Sequence, residues 1–345
     1  MNRPAVSAVE RWSGRRLLLT LAACATAWAV VALACVTVGS TGHDIGWPSP
    51  GVFRIRREYV LLASLVGAAL AAAGVAYQAI LRNPLADPYL LGASSGAMLA
   101  AYLWQFPAIT IAVAFGQQAF AFAGALAAVG AVFAIASRGG RLEPITLLLV
   151  GVIVNAVNGS VFLLINAIVK DPATPGGPLT FLVGQIQTSL RPQQIWLAAA
   201  IIASGWIALL YIAGQLNVAS LGDGEATALG VRIHRLRWIG LIVASLVTAA
   251  AVAISGPIGF VGLVCPHLAR LIAGGNDQRK LLPLATALGA SLLCIADAAS
   301  RWLGREGAAG TTLPVGVLTG LLGGPFFLIL LWRNVRSLAT VEGGR

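Results

Sequence analysis

The chain has 345 residues, of which 58% are apolar and 10% charged, and its mean hydropathy is +0.85. Soluble globular proteins carry roughly a quarter charged residues, so this composition excludes a disordered chain and an ordinary soluble enzyme. Apolar runs of roughly 18 to 25 residues recur along the whole length, and each could cross about 30 Å of hydrocarbon. The chain is therefore predicted to be an all-α polytopic membrane protein.

About ten membrane-crossing helices are predicted from the apolar runs between charged residues, prolines and turn clusters. The first run follows a basic stretch, but it is too long for the apolar region of a signal peptide and is interpreted as a retained helix. Neighbouring helices meet without a charged loop at 107 and at 256–257. The predicted spans are 17–38, 59–80, 89–106, 108–136, 144–168, 193–214, 237–254, 257–274, 281–302 and 312–332.

The basic residues predict the orientation of these helices. An even number of crossings places both termini on one side, and sixteen of the 23 Lys and Arg residues lie in the termini and loops of that side. The side richer in basic residues is cytoplasmic, so both termini are predicted to be cytoplasmic. This explains the net charge of +11 without a nucleic-acid partner. The whole chain, 1–345, is predicted to be one membrane domain with a cytoplasmic tail at 1–16 and a cytoplasmic loop at 215–236.

The sequence contains no GxxxxGK[ST] phosphate loop, no HExxH and no GxSxG, so it offers no anchor for nucleotide, metalloprotease or hydrolase chemistry. Its four cysteines lie in apolar runs without CxxC spacing and are predicted to pack in the protein: Cys24, Cys35, Cys265 and Cys294. His267 could ligate a metal or a haem. A single His in a membrane helix is more often a packing group, so no metal site is predicted.

Charged residues inside the predicted crossings are scarce, and Asp297 is the main one. Arg301 lies one helical turn later on the same face, so a local ion pair is the favoured interpretation. A carrier driven by an ion gradient would need an inward-facing ionisable pair in mid-membrane, and an intramembrane enzyme with Asp297 as its acid would need a second carboxylate at bilayer depth. The sequence offers no such partner, and both classes are kept as weaker alternatives.

Four segments carry distinctive patterns of Pro, Gly and small residues, at 82–97, 221–231, 255–270 and 313–327. Proline cannot continue a helix, so Pro84 and Pro88 predict a compact turn on the cytoplasmic side. Gly256, Pro257 and Gly259 predict a break where two crossings meet on the outer side. Closely spaced glycines predict tight helix packing. The motif residues given only a structural role are Asn83, Pro84, Asp87, Pro88, Gly92, Gly96, Gly256, Pro257, Gly259, Gly262, Pro266, His267, Pro314, Gly316 and Pro325.

In this order, the four segments resemble the permease subunits of the ABC importers for ferric siderophores, haem and cobalamin. The resemblance runs from the second helix to the last. It implies a homodimer in the bacterial inner membrane, with the import path at its two-fold axis. It also implies that the chain is not an enzyme and binds no cofactor, because ATP and Mg²⁺ belong to two cytoplasmic ATPase subunits. The expected cargo is a ferric siderophore or haem, with cobalamin as the alternative.

The resemblance also implies two docking surfaces. The family docks its ATPase on the loop between the sixth and seventh crossings, which here supplies Ala219, Leu221, Gly222, Asp223, Ala226, Leu229, Gly230 and Val231. Outer-side arginines of the family bind a periplasmic or lipid-anchored substrate-binding protein. Here these are Arg56 and Arg301, with Arg54 and Arg57 nearby. Tyr59 occupies the place of a further family arginine, and the stretch 304–312 is longer than the family usually has.

Overall fold

The computed structural model of the chain describes residues 14–39, 46–106, 116–138, 141–169, 183–187, 190–304 and 313–342. Most of the predicted tail, the beginning of the fourth span and most of the stretch 304–312 lie outside these residues. A short antiparallel pair joins Ser137–Arg138 to Arg141–Leu142. The α-helices are α1 (Gly14–Val36), α2 (Pro50–Ile80), α3 (Ala93–Leu103), α4 (Gln117–Ala136), α5 (Pro144–Val169), α6 (Pro192–Ala219), α7 (Asp223–Ala228), α8 (Ile233–Ser255), α9 (Val261–Ala273), α10 (Gln278–Gly304) and α11 (Val315–Glu342).

Within the described residues, seven helices are long and apolar enough to cross a membrane. These are α1, α2, α4, α5, α6, α8 and α10. Three shorter apolar helices, α3, α9 and the first part of α11 (Val315–Leu328), coincide with the remaining predicted spans. The all-α membrane fold is therefore confirmed. The prediction overestimated the length of α3 and α9, because an apolar run alone does not show where proline and glycine interrupt a helix. Helix α11, with 28 residues, extends beyond its predicted span and contains Pro325 without ending there.

Helix α2 forms the centre of the bundle, and nearly all of its side chains from Val60 to Ile80 are buried. A Cβ atom at Gly67 would collide with the carbonyl oxygen of Gly289 in α10, and one at Gly74 with that of Gly262 in α9. Such collisions show that the backbones approach too closely for any side chain, as small residues permit in membrane helices. The predicted tight packing is confirmed at these positions.

Polar and thiol side chains inside the bundle find partners on neighbouring helices. The indole of Trp28 donates a hydrogen bond to the Ser64 hydroxyl at 2.8 Å, and that hydroxyl lies 3.0 Å from the Cys294 thiol. The Tyr77 and Ser245 hydroxyls are 2.8 Å apart. All four cysteines are buried and free of disulfides, as the sequence predicted.

The break between α8 and α9 begins beside the start of α11, because a Cβ at Gly316 would lie 3.1 Å from the Pro257 carbonyl oxygen. That Gly256, Pro257 and Gly259 lie on the outer side of the membrane stays a prediction. Gly74, which meets Gly262, lies six residues or about 9 Å from the end of α2, the end that the basic residues place at the cytoplasm. The crossing predicted at 257–274 is shorter in the structure, where α9 has 13 residues and is about 20 Å long.

Candidate docking loop and helix break

The predicted cytoplasmic loop is shorter in the structure than 215–236, because α6 continues to Ala219 and α8 begins at Ile233. The six-residue helix α7 lies between them. Leu221 and Leu229 flank α7 and are each 64% exposed, whereas Ala226 is fully buried. We call residues 220–232 the docking loop. It presents two leucines outward from the end of the bundle.

A Schellman motif fixes the end of α7. Gly230 has a φ of +79°, which an amino acid without a Cβ adopts readily, and its N–H donates to the carbonyl of Thr227 at 2.9 Å. The N–H of Val231 donates to the carbonyl of Ala226, also at 2.9 Å. The motif turns the chain sharply towards α8 and holds Leu229 at the outer surface of the turn.

The Asp223 carboxylate ties the docking loop to two other parts of the bundle. It accepts hydrogen bonds from both terminal nitrogens of Arg237 in α8, at 3.0 and 2.8 Å, and from Arg82 after α2, at 2.5 Å. The Nε of Arg82 also donates to the carbonyl of Ala219 at the end of α6. Burial raises the pKa of Asp223, but the charges of Arg237 and Arg82 outweigh burial and lower this pKa below its ordinary value.

Sequence analysis did not identify Arg82 or Arg237 as partners of this loop. Asp223 lies 141 residues from Arg82 and 14 residues from Arg237, so neither pair falls at a helical i,i+4 spacing. The sequence offered one signal: Asp223 is a carboxylate in a loop on the predicted cytoplasmic side, where most of the arginines lie. That signal indicates a counter-ion, but it does not show which arginine pairs with it.

A second polar cluster lies at the break before α9, and Gln78 of α2 is at its centre. Pro266 lacks the N–H that would bond the Gly262 carbonyl four residues earlier in α9. The Gln78 amide donates to the carbonyls of Gly262 and Leu263 at 3.3 and 3.4 Å, which supplies the missing donor. Arg270, one turn after Pro266, donates to the Gln78 side-chain oxygen and orients that amide.

The turn after α2 supports the other side of the break. Asp87 accepts hydrogen bonds from the backbone N–H groups of Tyr89, at 2.9 Å, and of Phe260, which precedes α9. The Tyr89 hydroxyl accepts from the Ile258 N–H at 2.6 Å. Pro88, at the start of a short 3₁₀ helix (Pro88–Leu91), packs where a Cβ at Gly262 would lie. Two of the sequence segments therefore form one junction.

The remaining motif residues have local structural surroundings. The Asn83 side chain accepts from the Leu85 N–H at 2.9 Å, in the turn that also contains Pro84. Gly92 has a φ of +85° where the 3₁₀ helix passes into α3. Cβ atoms at Gly96 and Gly316 would collide with the carbonyls of Gly124 and Val183, whereas one at Gly259 meets nothing. Gly256 has a φ of +66° and ends α8. Pro314 directly precedes α11, and Pro325 lies inside α11.

His267 packs edge-on against Phe326, with ring centroids 6.1 Å apart. Within the described residues, no three His, Cys, Asp or Glu side chains gather as a metal site would require. The packing interpretation of His267 agrees with this ring contact.

The outer-side arginines fall into two groups. Arg56 and Arg301 are each 4% exposed, whereas Arg54 and Arg57 are exposed. Arg56 donates to the carbonyl of Val36 at 3.1 Å, at the end of α1. The burial of Arg56 and Arg301 means that neither presents its charge to a partner in this structure. The assignment of Arg56 and Arg301 to binding-protein docking stays a prediction. Arg54 and Arg57 are exposed and are therefore better placed to contact a partner.

Arg301 forms the predicted ion pair with Asp297, with its Nε 2.9 Å from the carboxylate. It also donates to the carbonyl of Val38 at 3.3 Å. Its guanidinium carbon lies 5.1 Å from the centre of the Tyr59 ring, a cation–π contact. Tyr59, predicted to occupy the place of a family arginine, therefore contacts the neighbouring Arg301.

Comparison with known proteins places these features in a family. The FecCD transport family matches residues 16–333. The chain is 42% identical over 289 residues to the cobalamin import system permease protein BtuC of Halobacterium salinarum, which covers 82% of this chain and 74% of that protein. It is 41% identical over 285 residues to the hemin transport system permease protein HmuU of Yersinia pestis, covering 81% and 82%.

A solved structure of a metal-chelate type ABC transporter in an inward-facing conformation has the same fold. Its TM-score is 0.78 at 27% sequence identity, and the match covers 92% of this chain and 99% of that one. Sequence and fold agree over nearly the whole chain. The chain therefore belongs to the FecCD transport family.

Proposed function

We propose that this chain is the membrane permease subunit of an ATP-driven importer. It works as a homodimer, with two ATPase subunits on the cytoplasmic side and one substrate-binding protein outside, in the bacterial inner membrane. The family and the relatives named as cobalamin and hemin permeases support this proposal. The chain itself catalyses no reaction, because ATP and Mg²⁺ bind to the partner subunits.

The docking loop is the observation that carries the proposal. Leu221 and Leu229 expose apolar surface from a loop that a Schellman motif and the Asp223 ion pairs hold in one conformation. A preorganised loop binds a partner with a smaller loss of conformational entropy than a mobile loop does. The loop lies at the end of α6 and the start of α8, so a force on it acts directly on both helices.

The proposed cargo is an iron chelate such as a ferric siderophore, or haem, with cobalamin as the alternative. A large cargo of this kind needs a wide, mostly apolar path with few fixed charges. The scarcity of charge in the spanning helices agrees with this need: Asp297, a carboxylate within α10, is already paired with Arg301.

The docking assignment is tested by charging the two leucines. In L221D and L229D, an unpaired carboxylate enters a surface that docking removes from water, which costs several kcal/mol. Both variants should fold, because both side chains are exposed, but they should lose co-purification with the ATPase subunit and ATP-driven uptake into liposomes. L221M and L229M, which keep the surface apolar, are the matched controls.

Two results would contradict the proposal. Unchanged co-purification and uptake in both aspartate variants would remove the docking assignment from this loop. Uptake that follows a proton or sodium gradient without ATP would instead exclude the importer function and favour a secondary carrier. Uptake measured in parallel with a ferric siderophore, haem and cobalamin identifies the cargo.

A further inference from the structure

A cavity of about 410 Å³ opens between α6 and α8, beside the end of the docking loop. Arg232 and Arg235 line its polar end, together with Gly230 and Val231 of the loop. Tyr211, Ile212 and Ile239 are among the residues that line the rest. The cavity therefore has a cationic end and an apolar wall.

The cationic end has no counter-ion within the part of the chain that the structure describes. Arg232 and Arg235 are both exposed, and neither forms an ion pair with a described carboxylate. The acids of the docking loop are directed elsewhere. Asp223 binds Arg82 and Arg237, and the Glu225 carboxylate lies against Gly222. An anion entering the cavity would meet two arginines and no acid among its lining residues.

The cavity extends from the end of the bundle into its apolar depth. Tyr211 lies eight residues, or about 12 Å, before the end of α6, and Ile239 lies six residues, or about 9 Å, after the start of α8. Tyr211 is 85% exposed, and Ile239 also faces outward. The arginines are thus at the level of lipid headgroups. A tyrosine, which favours the membrane interface, and aliphatic side chains lie deeper.

We propose that this cavity binds one anionic glycerophospholipid of the cytoplasmic leaflet. Its phosphate lies between Arg232 and Arg235, whose guanidinium groups match phosphate geometry. The glycerol region packs on Tyr211, and one acyl chain follows Ile212 and Ile239. A zwitterionic lipid would bring its own ammonium group towards the arginines, so the site selects a net negative headgroup. Basic pockets between membrane helices on the cytoplasmic side are suited to such headgroups.

The bound lipid would also touch the docking loop. Gly230 and Val231 line the cavity, and the N–H of Val231 is bonded to Ala226 inside the loop. A ligand that binds only the folded protein stabilises it. Occupancy of the cavity should therefore raise the melting temperature of the permease and protect the amides of the docking loop from hydrogen exchange.

The test uses the full chain purified in detergent and freed of lipid. It is titrated with phosphatidylglycerol or with phosphatidylcholine of the same acyl chains, and bound lipids are counted by native mass spectrometry. One phosphatidylglycerol should bind saturably, and phosphatidylcholine far more weakly. The double variant R232A/R235A should bind phosphatidylglycerol about twenty- to thirtyfold more weakly, because each arginine near an anionic lipid contributes roughly fivefold in affinity.

The control is R54A/R57A, which removes two exposed arginines with the same spacing from the opposite end of the bundle. It should bind phosphatidylglycerol like the wild type. Inorganic phosphate should compete poorly, because it lacks the acyl chain that fills the apolar wall. If R232A/R235A melts earlier than the wild type in lipid-free detergent, R232K/R235K is measured instead, and it should retain binding within a few-fold.

Several results would overturn the proposal. Equal binding of the two lipids, or wild-type affinity in R232A/R235A, would show that the arginines do not form a lipid site. Full competition by inorganic phosphate would indicate a phosphate site without a lipid. Loss of the ATPase subunit from R232A/R235A with unchanged lipid binding would assign the arginines to the protein interface.

Discussion

Replacing Asp223 with Asn should loosen the docking loop without unfolding the bundle. The substitution keeps the side-chain volume but removes the charge that Arg237 and Arg82 share. The Arg237 side chain is 6% exposed, so it retains little access to water once its counter-ion is gone. Hydrogen bonds to charged groups contribute about 1.5–3 kcal/mol. Because the Asp223 side chain is 47% exposed, water compensates part of this loss, and we expect a cost of about 2 kcal/mol.

That cost corresponds to roughly a thirtyfold shift towards conformations with the loop detached from Arg82 and α8. Hydrogen exchange of residues 220–232 should accelerate by a similar factor. The melting temperature of the detergent-solubilised permease should fall, and the reconstituted importer should move less cargo per ATP hydrolysed. The matched control is E225Q, which neutralises an acid of the same helix that forms no ion pair with a described residue.

The pH dependence of the difference gives an independent check. The pKa of Asp223 is lower in the folded protein than its ordinary value, so its ion pairs stabilise the fold at pH values above the unfolded pKa of about 3.9. This stabilisation is lost as the pH falls through the lower, folded pKa. The wild type and D223N should therefore differ by a constant amount from pH 8 to pH 5, and less below about pH 4. Equal melting temperatures and equal cargo transport per ATP in the wild type and D223N, or the same loss in E225Q, would show that the Asp223 ion pairs do not hold the docking loop.

Further predictions concern the bundle and its partners. G74V should abolish folded yield, measured by size-exclusion chromatography, because its side chain collides with the Gly262 carbonyl; a monodisperse peak would contradict the close approach. R301E should lower the melting temperature sharply, because it places a second carboxylate beside buried Asp297, and wild-type melting would dismiss that role. R57E should leave melting unchanged but slow association with the binding protein at low salt, and an unchanged rate would exclude this arginine from docking. The purified chain alone should hydrolyse no ATP in a phosphate-release assay, and measurable turnover would show that it binds nucleotide itself.

The number and order of the helices could be predicted because bilayer thickness sets a minimum apolar length. Helix ends were predicted less well. Helix α2 begins at Pro50, nine residues before the predicted span, although Arg54, Arg56 and Arg57 follow. Charged residues mark the end of an apolar run, but a helix can extend beyond the hydrocarbon when its side chains reach water or a buried carbonyl. Arg56 reaches such a carbonyl, at Val36.

The candidate site was predictable in position but not in its contacts. The small residues between two crossings indicated a short cytoplasmic loop, and only the resemblance to the importer permeases made it a docking loop; its two leucines are exposed in the structure. The ion pairs that hold it depend on which arginine the fold brings to Asp223. Arg237 is one of the sixteen basic residues of the predicted cytoplasmic side, and nothing in its immediate sequence distinguishes it from Arg232 and Arg235, which are exposed.

The position of the helix break explains why its motif contains polar residues at all. Irregular backbone within a membrane is tolerated only where protein groups or water satisfy its N–H and carbonyl groups. A break in contact with water would need no dedicated side chains, but Gly256 and Ile258 are buried in the bundle. At the depth of Gly74, it needs the Gln78 amide, the Asp87 carboxylate and the Tyr89 hydroxyl. The polar residues at 78 and 87–89 therefore satisfy the backbone that the Gly-Pro pattern of 255–270 leaves irregular. About 170 residues of sequence separate the two segments, and the fold brings them into contact.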